Sequence, residues 1–166
     1  MEIREITLSE RACALELVFR TFMKYEAPDY SDEGVASFQN LVIENSDFLN
    51  HIVLYGAFQR EEIRGVIATR SQGNHIALFF VDEKYHQQGI GKSLFQTVLQ
   101  KCNSNEMTVH SSPYAVRIYQ HLGFVETAPE QITDGIRYTP MMYKKCMEKE
   151  VFSQYAFSSI ETDEGK

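Results

Sequence analysis

The sequence predicts one α/β domain of the α+β-like kind, built on a mixed, mostly antiparallel sheet of six to seven strands with about four helices. Three observations carry this. Three consecutive runs between Ile52 and Val81 are rich in Val, Ile and Phe and are separated by polar breaks of hairpin length. On both sides of that block, apolar residues recur at helical spacing. The 166 residues suit a single domain, and 43% hydrophobic with 12% aromatic residues supply its core.

In chain order, Ile3 to Leu8 alternates as a first strand, with Ser9 as the cap of the helix that follows. Leu15, Val18, Phe19 and Phe22 form one apolar stripe on that helix, which must end before Pro28. Ser31 opens a second helix with Asp32 and Glu33 in its first turn, and Val35, Phe38 and Val42 form its buried side. The strands Ile52–Phe58, Ile63–Thr69 and Ile76–Val81 make an antiparallel meander. A helix from Gly89 buries Ile90, Leu94 and Val98 beside Phe95, Leu99 and Cys102. Met107–His110 is a short strand. Ser112-Pro113 then starts a helix bearing Ala115, Ile118, Tyr119 and Leu122, and Gly123 ends it. Phe124–Thr127 and Ile136–Tyr143 close the sheet as two strands. The domain is placed at 1–146, and 147–166, which loses the apolar period, is expected to be a frayed tail.

Sixteen Lys and Arg against 23 Asp and Glu leave a net charge of −7, which argues against nucleic acid as a partner and mildly favours a cationic one. Cys13, Cys102 and Cys146 are widely spaced and fit reduced intracellular thiols. The start, Met1-Glu2-Ile3-Arg4-Glu5-Ile6, is too charged for a signal peptide, and no run approaches the length of a membrane span. A cytoplasmic protein without a membrane partner is therefore expected. The five histidines show no metal-ligand spacing, so no metal is expected. An exposed edge strand near the carboxyl end leaves room for a homodimer.

The segment from Leu78 to Leu94 carries the chemistry. An apolar strand, Leu78-Phe79-Phe80-Val81, enters a turn whose Gly89 and Gly91 open a helix. Such a turn leaves backbone N–H groups free at the positive end of the helix, and Lys92 adds a full charge. The same glycines would also serve a merely structural turn. A nucleotide P-loop would need glycine where His86 stands, and a dinucleotide fingerprint would need a small residue in place of Leu94.

The loop His86-Gln87-Gln88-Gly89-Ile90-Gly91, following Val81-Asp82-Glu83, resembles the acetyl-CoA signature Arg/Gln-x-x-Gly-x-Gly/Ala of the GNAT N-acetyltransferase superfamily, with His86 in place of the first Arg or Gln. Downstream, Ser112-Pro113-Tyr114-Ala115, Tyr119 and Gly123-Phe124 are similar to a second motif of that superfamily, with Ser112 replacing its Asn. Gly135 to Met141 resembles the last strand of bacterial members. Together these cover Ile3 to Lys145.

The resemblance implies an acetyl-CoA-dependent N-acetyltransferase acting on a primary amine of a small molecule or protein by direct attack, with no metal. It implies that Phe79, Phe80 and Val81 meet the pantetheine arm, that Gln87, Gln88, Gly89, Ile90, Gly91 and Lys92 meet the pyrophosphate, and that Ser112 touches the CoA arm. Tyr119 becomes the general acid for the departing thiolate. Proton transfer from a tyrosine near pKa 10 to a thiol near 8.5 runs uphill by about 1.5 units, so a hydrogen bond that stabilises the thiolate would also serve. Core packing is the competing role for Tyr119. Glu26, Asp29, Tyr30 and His110 stand open as the base. The cluster Phe19, Phe22, Met23, Tyr25 and Tyr30 falls where the superfamily builds its acceptor pocket. A CoA-binding module without turnover is the alternative function.

Overall fold

The three Val, Ile and Phe-rich runs form the middle of the sheet. The structure is a computed structural model that describes residues 1–146; the tail expected over 147–166 lies outside the described residues. The strands are β1 (Glu2–Glu5), β2 (Val53–Gln59), β3 (Glu62–Arg70), β4 (His75–Val81), β5 (Glu106–Ser111), β6 (Val125–Glu126), β7 (Gln131–Thr133) and β8 (Ile136–Lys144). The helices are α1 (Arg11–Tyr25), α2 (Asp32–Phe38), α3 (Ser46–Asn50), α4 (Ile90–Lys101) and α5 (Val116–Leu122). The sheet runs β1-β2-β3-β4-β5-β8-β6, with β7 also on β8, and every pairing is antiparallel except β4 with β5.

Alternation along the strands sends side chains to two cores. On one face Leu54, Val66, Ala68, Leu78 and Phe80 pack under Leu17, Val18 and Phe22 of α1 and Phe38 of α2. On the other, Ile67, Ile76, Met107, Val109 and Met141 pack under Leu94, Phe95 and Val98 of α4 and Tyr119 of α5. The alternation slips once at a consequential point. Ala68 pairs with Leu78 but Thr69 with Ile76, so Ala77 is the extra residue of a β-bulge.

Several local features differ from the sequence reading. β1 stops at Glu5, and Leu8 is 81% exposed in a short turn where Thr7, rather than Ser9, shares a capping box with Glu10. α5 begins at Val116; Ser112 caps the preceding turn by accepting the Ala115 N–H at 3.3 Å. Short α3 and β7 add to the expected elements, because neither is long enough to show a period. The last strand is not an exposed edge: β8 bonds β5 on one side and β6 and β7 on the other, so the carboxyl-side edges are the two- and three-residue strands β6 and β7.

The hairpin β7–β8 turns at Asp134 and Gly135, both with positive φ. It folds back against the start of α2, where a Cβ added to Gly34 would stand 2.2 Å from the Gly135 carbonyl oxygen. Arg137 fixes the same contact by donating to the Asp29 carbonyl at 3.0 Å and pairing with Glu130 at 2.9 Å. Gly34→Ala must therefore push the hairpin off α2. A loss of about 1–3 kcal/mol in urea unfolding is expected, the usual range for overpacking against backbone.

Candidate active site

The parallel pair β4–β5 is joined only at His75↔Thr108 and Ile76↔Val109, after which the strands diverge. The bulge at Ala77 sits where they part. The Asp82 N–H donates to the Arg64 carbonyl at 2.9 Å, and alternation along the antiparallel ladder then makes Val66 and Phe80 a bonded pair. Phe79 and Val81 consequently direct their N–H and C=O groups away from β3, into the gap beside β5. His86 agrees with this geometry, since its Nε2–H donates to the Val81 carbonyl at 2.8 Å.

Beyond Val81 the chain is held by the end of α1. Asp82 is buried, accepts the Lys84 N–H at 3.0 Å and pairs with Arg20 at 2.7 Å. Glu83 pairs with Lys24 and accepts the Tyr25 hydroxyl at 3.1 Å. So fixed, the loop reaches α4 through Gln87 and Gly89, at φ 62° and 77°. Gly89 is the N-cap, and a Cβ there would meet nothing within 4 Å; Gly91 lies inside the helix without positive φ. The free amides of the first turn of α4 thus face an open groove.

That groove, of about 410 Å³, is walled by Phe79, Val81, His86, Gln87, Gly89, Ile90 and Gly91, with Tyr25 and Tyr114 at 5.2 Å from each other on its rim. Across β4 lies a second cavity of about 440 Å³, lined by Tyr30, Phe38, Arg70, His75, His110, Ser112 and the β7–β8 hairpin among others. The two share Glu26, Phe79, Phe80, Ala115 and Tyr119. A ligand in either meets the other at those residues.

Glu26 is the notable group of that junction. Burial raises its carboxyl to about 7, the Ser112 hydroxyl acting against the shift and the charge of Asp29 adding to it. Tyr119 is 5% exposed with its ring against Phe79 and Phe124, and burial, then the Glu26 charge, pushes its hydroxyl well above the ordinary tyrosine range. His75 is lowered to about 4 by burial and then by Arg70 and His110; His110 is lowered by burial and Arg70.

The structure brings Phe79, Phe80, Val81, Gln87, Gly89, Ile90, Gly91 and Tyr119 to one groove. Gln88 and Lys92 are exposed and outside its lining, and Ser112 lines the second cavity beside Glu26 instead. Of the four base candidates only Glu26 lies where the cavities meet; Tyr30 and His110 line the second cavity alone, and Asp29 lines neither. Of the aromatic cluster, Tyr30 faces the second cavity, Tyr25 faces the groove, Phe22 is core and Met23 is 43% exposed. The anchoring pair Arg20–Asp82 escaped the sequence reading, as nothing local links positions so far apart.

A family model described as an acetyltransferase (GNAT) domain matches residues 26–145. The chain belongs to the GNAT acetyltransferase family. Among solved structures with the same fold, a GCN5-related N-acetyltransferase from Rhodopseudomonas palustris has a TM-score of 0.73 at 18% identity, covering 86% of this chain and 94% of that one. The PaiA N-acetyltransferase from Thermoplasma acidophilum, solved in complex with coenzyme A, gives 0.67 at 21% identity over 86% and 98% of the two chains. Apo YjaB from Escherichia coli gives 0.69 at 20% over 87% and 97%. No curated protein matches the sequence at a significant level. Membership of the GNAT family makes the chain an N-acetyltransferase and acetyl-CoA its acetyl donor. Among the described residues no helix is long and apolar enough to cross a membrane.

Proposed function

We propose that the chain moves the acetyl group of acetyl-CoA directly onto a primary amine, with the thioester at the junction of the two cavities. The observation that carries this reading is the shared lining: Glu26, Phe79, Phe80, Ala115 and Tyr119 border both spaces. CoA takes the groove, its pyrophosphate against the amides from Gln87 to Gly91 and its pantetheine arm along the free backbone of Phe79 and the N–H of Val81, whose carbonyl is held by His86. Phe80 contributes through its side chain, because its own backbone is engaged with Val66. Lys92, and Gln88 beside it, act from outside the groove as surface groups near the phosphates. The amine approaches through the second cavity.

Glu26 takes the ammonium proton, and a carboxyl near 7 is matched to that task at neutral pH. The Ser112 hydroxyl beside this carboxylate favours its charged form. The nitrogen then attacks the thioester carbonyl, a strand N–H stabilises the oxyanion, the C–S bond breaks to release the CoA thiolate, and the extra proton left on the nitrogen passes to that thiolate, giving the amide and free CoA. Since Tyr119 is held more firmly protonated than an ordinary tyrosine, it serves chiefly as a hydrogen-bond donor to that thiolate. A cytoplasmic setting accords with three unpaired cysteines, Cys13, Cys102 and Cys146.

Acetyl-CoA at about a hundred times its Kd is expected to raise Tm on the order of 5–10 °C, while ATP and NAD leave it unchanged. Gly89→Val should abolish the shift, because valine resists the 77° φ that turns the loop toward the phosphates. Gly91→Val should reduce it by obstruction alone. No shift with acetyl-CoA in the wild type, or a full shift in both variants, would contradict the placement of CoA.

A further inference from the structure

The second cavity has a chemical direction. At the end it shares with the groove stands the Glu26 carboxyl; at the far end, where β3 finishes, stands Arg70 opposite His75. Between them the wall is apolar, with Phe38, Leu41, Val42 and Phe48 contributed by α2, the π-turn Gln39–Ile43 and α3. The overall charge of −7 says nothing of this, and the preference for a cationic partner drawn from it does not carry to the cavity.

Arg70, exposed at the mouth of the cavity, is the one guanidinium or ammonium among the described lining residues, and it has no ion pair among the described residues. Its neighbours cannot take its place as a cation. His75 is held neutral, with Nδ1 at 2.8 Å from the Thr108 hydroxyl and its ring edge-on to His110 at 5.1 Å. His110 in turn stacks on Tyr138 at 4.5 Å. Asp134 is exposed at the hairpin tip on the cavity rim. A planar guanidinium without a carboxylate partner, beside flat rings, suits a carboxylate ligand bound through two parallel hydrogen bonds.

We propose that the acceptor is an amine with an apolar body and a terminal carboxylate, its nitrogen meeting Glu26 and its carboxylate meeting Arg70. This rests on the acetyl-transfer reading and adds the substrate class to it. A substrate of that shape places its charges in the order the cavity presents them, and a diamine places a second cation against Arg70.

The test compares para-aminomethylbenzoate with para-aminomethylbenzamide and para-xylylenediamine, which share one body and differ at the far end. Thiol release from acetyl-CoA gives kcat/KM, and calorimetry in the presence of CoA gives Kd for the same three probes. The acid should exceed the amide by about threefold to tenfold, as expected of a bidentate charge-assisted hydrogen bond to a solvent-exposed guanidinium. Arg70→Gln should bring the ratio to about one through KM, Arg70→Lys should keep part of it, and Arg70→Glu should turn the order toward the diamine. An amide or diamine equal to the acid in the wild type, or an acid preference that survives Arg70→Gln, overturns the proposal. Because calorimetry reads the preference without turnover, an acid preference in binding with no thiol release would count against acetyl transfer and for the anion site.

Discussion

Glu26→Gln is expected to lower kcat by about 10²- to 10³-fold at pH 8, with the Kd of acetyl-CoA nearly unchanged. The amide keeps the size of the side chain but cannot accept the proton that a protonated amine must lose before it attacks. Stability should move the other way. The folded-state carboxyl, at about 7 against an ordinary 4.5, favours the neutral form, so its contribution to stability is full below 4.5 and is lost as pH rises through 7. Glutamine never ionises, so the variant should unfold at the same or a higher temperature than the wild type above that pH. A slower enzyme that is no less stable marks a group kept for chemistry. A lowered Tm with kcat retained would show Glu26 to be packing only.

Tyr119→Phe should lower kcat by about 10²-fold while leaving Tm and CoA affinity close to wild type. The ring carries the packing, with Phe79 at 6.0 Å and Phe124 at 5.2 Å, and phenylalanine keeps both contacts. What the variant loses is the hydroxyl, which burial and the Glu26 charge hold protonated. The drop in rate should be greatest with acetyl-CoA and smaller with a thioester whose leaving thiol is more acidic, since a better leaving group needs less stabilisation. Equal losses for both thioesters would place Tyr119 outside the C–S cleavage step.

Much of this arrangement is legible in the sequence. The runs from Ile52 to Val81 and the stripe of Leu94, Phe95 and Val98 declare their elements because period and composition agree over whole segments. Gly89, Gly91 and Tyr119 stood out because their spacing is local. The base did not. Glu26, Asp29, Tyr30 and His110 can all exchange protons, and only the packing of α1 against β4 places the half-buried Glu26 carboxyl where the two cavities meet. Arg70 is silent for the same reason: at a strand end it reads as a solvated charge, and its place opposite His75 at the mouth of the cavity arises from strand pairing. Ser112 illustrates the converse, a residue found through its motif whose position beside Glu26 was not expressed in it.

The claim that a half-buried carboxyl takes the proton at the junction of the two cavities is tested most directly by kcat/KM between roughly pH 5 and 9, which reports the ionisation of the free enzyme. The group must be ionised to act. The account therefore expects kcat/KM to rise about tenfold per pH unit on the acid side and to break near 7, with that break absent in Glu26→Gln. A wild-type kcat/KM without a break near 7, or a break near 7 that persists in Glu26→Gln, would contradict it.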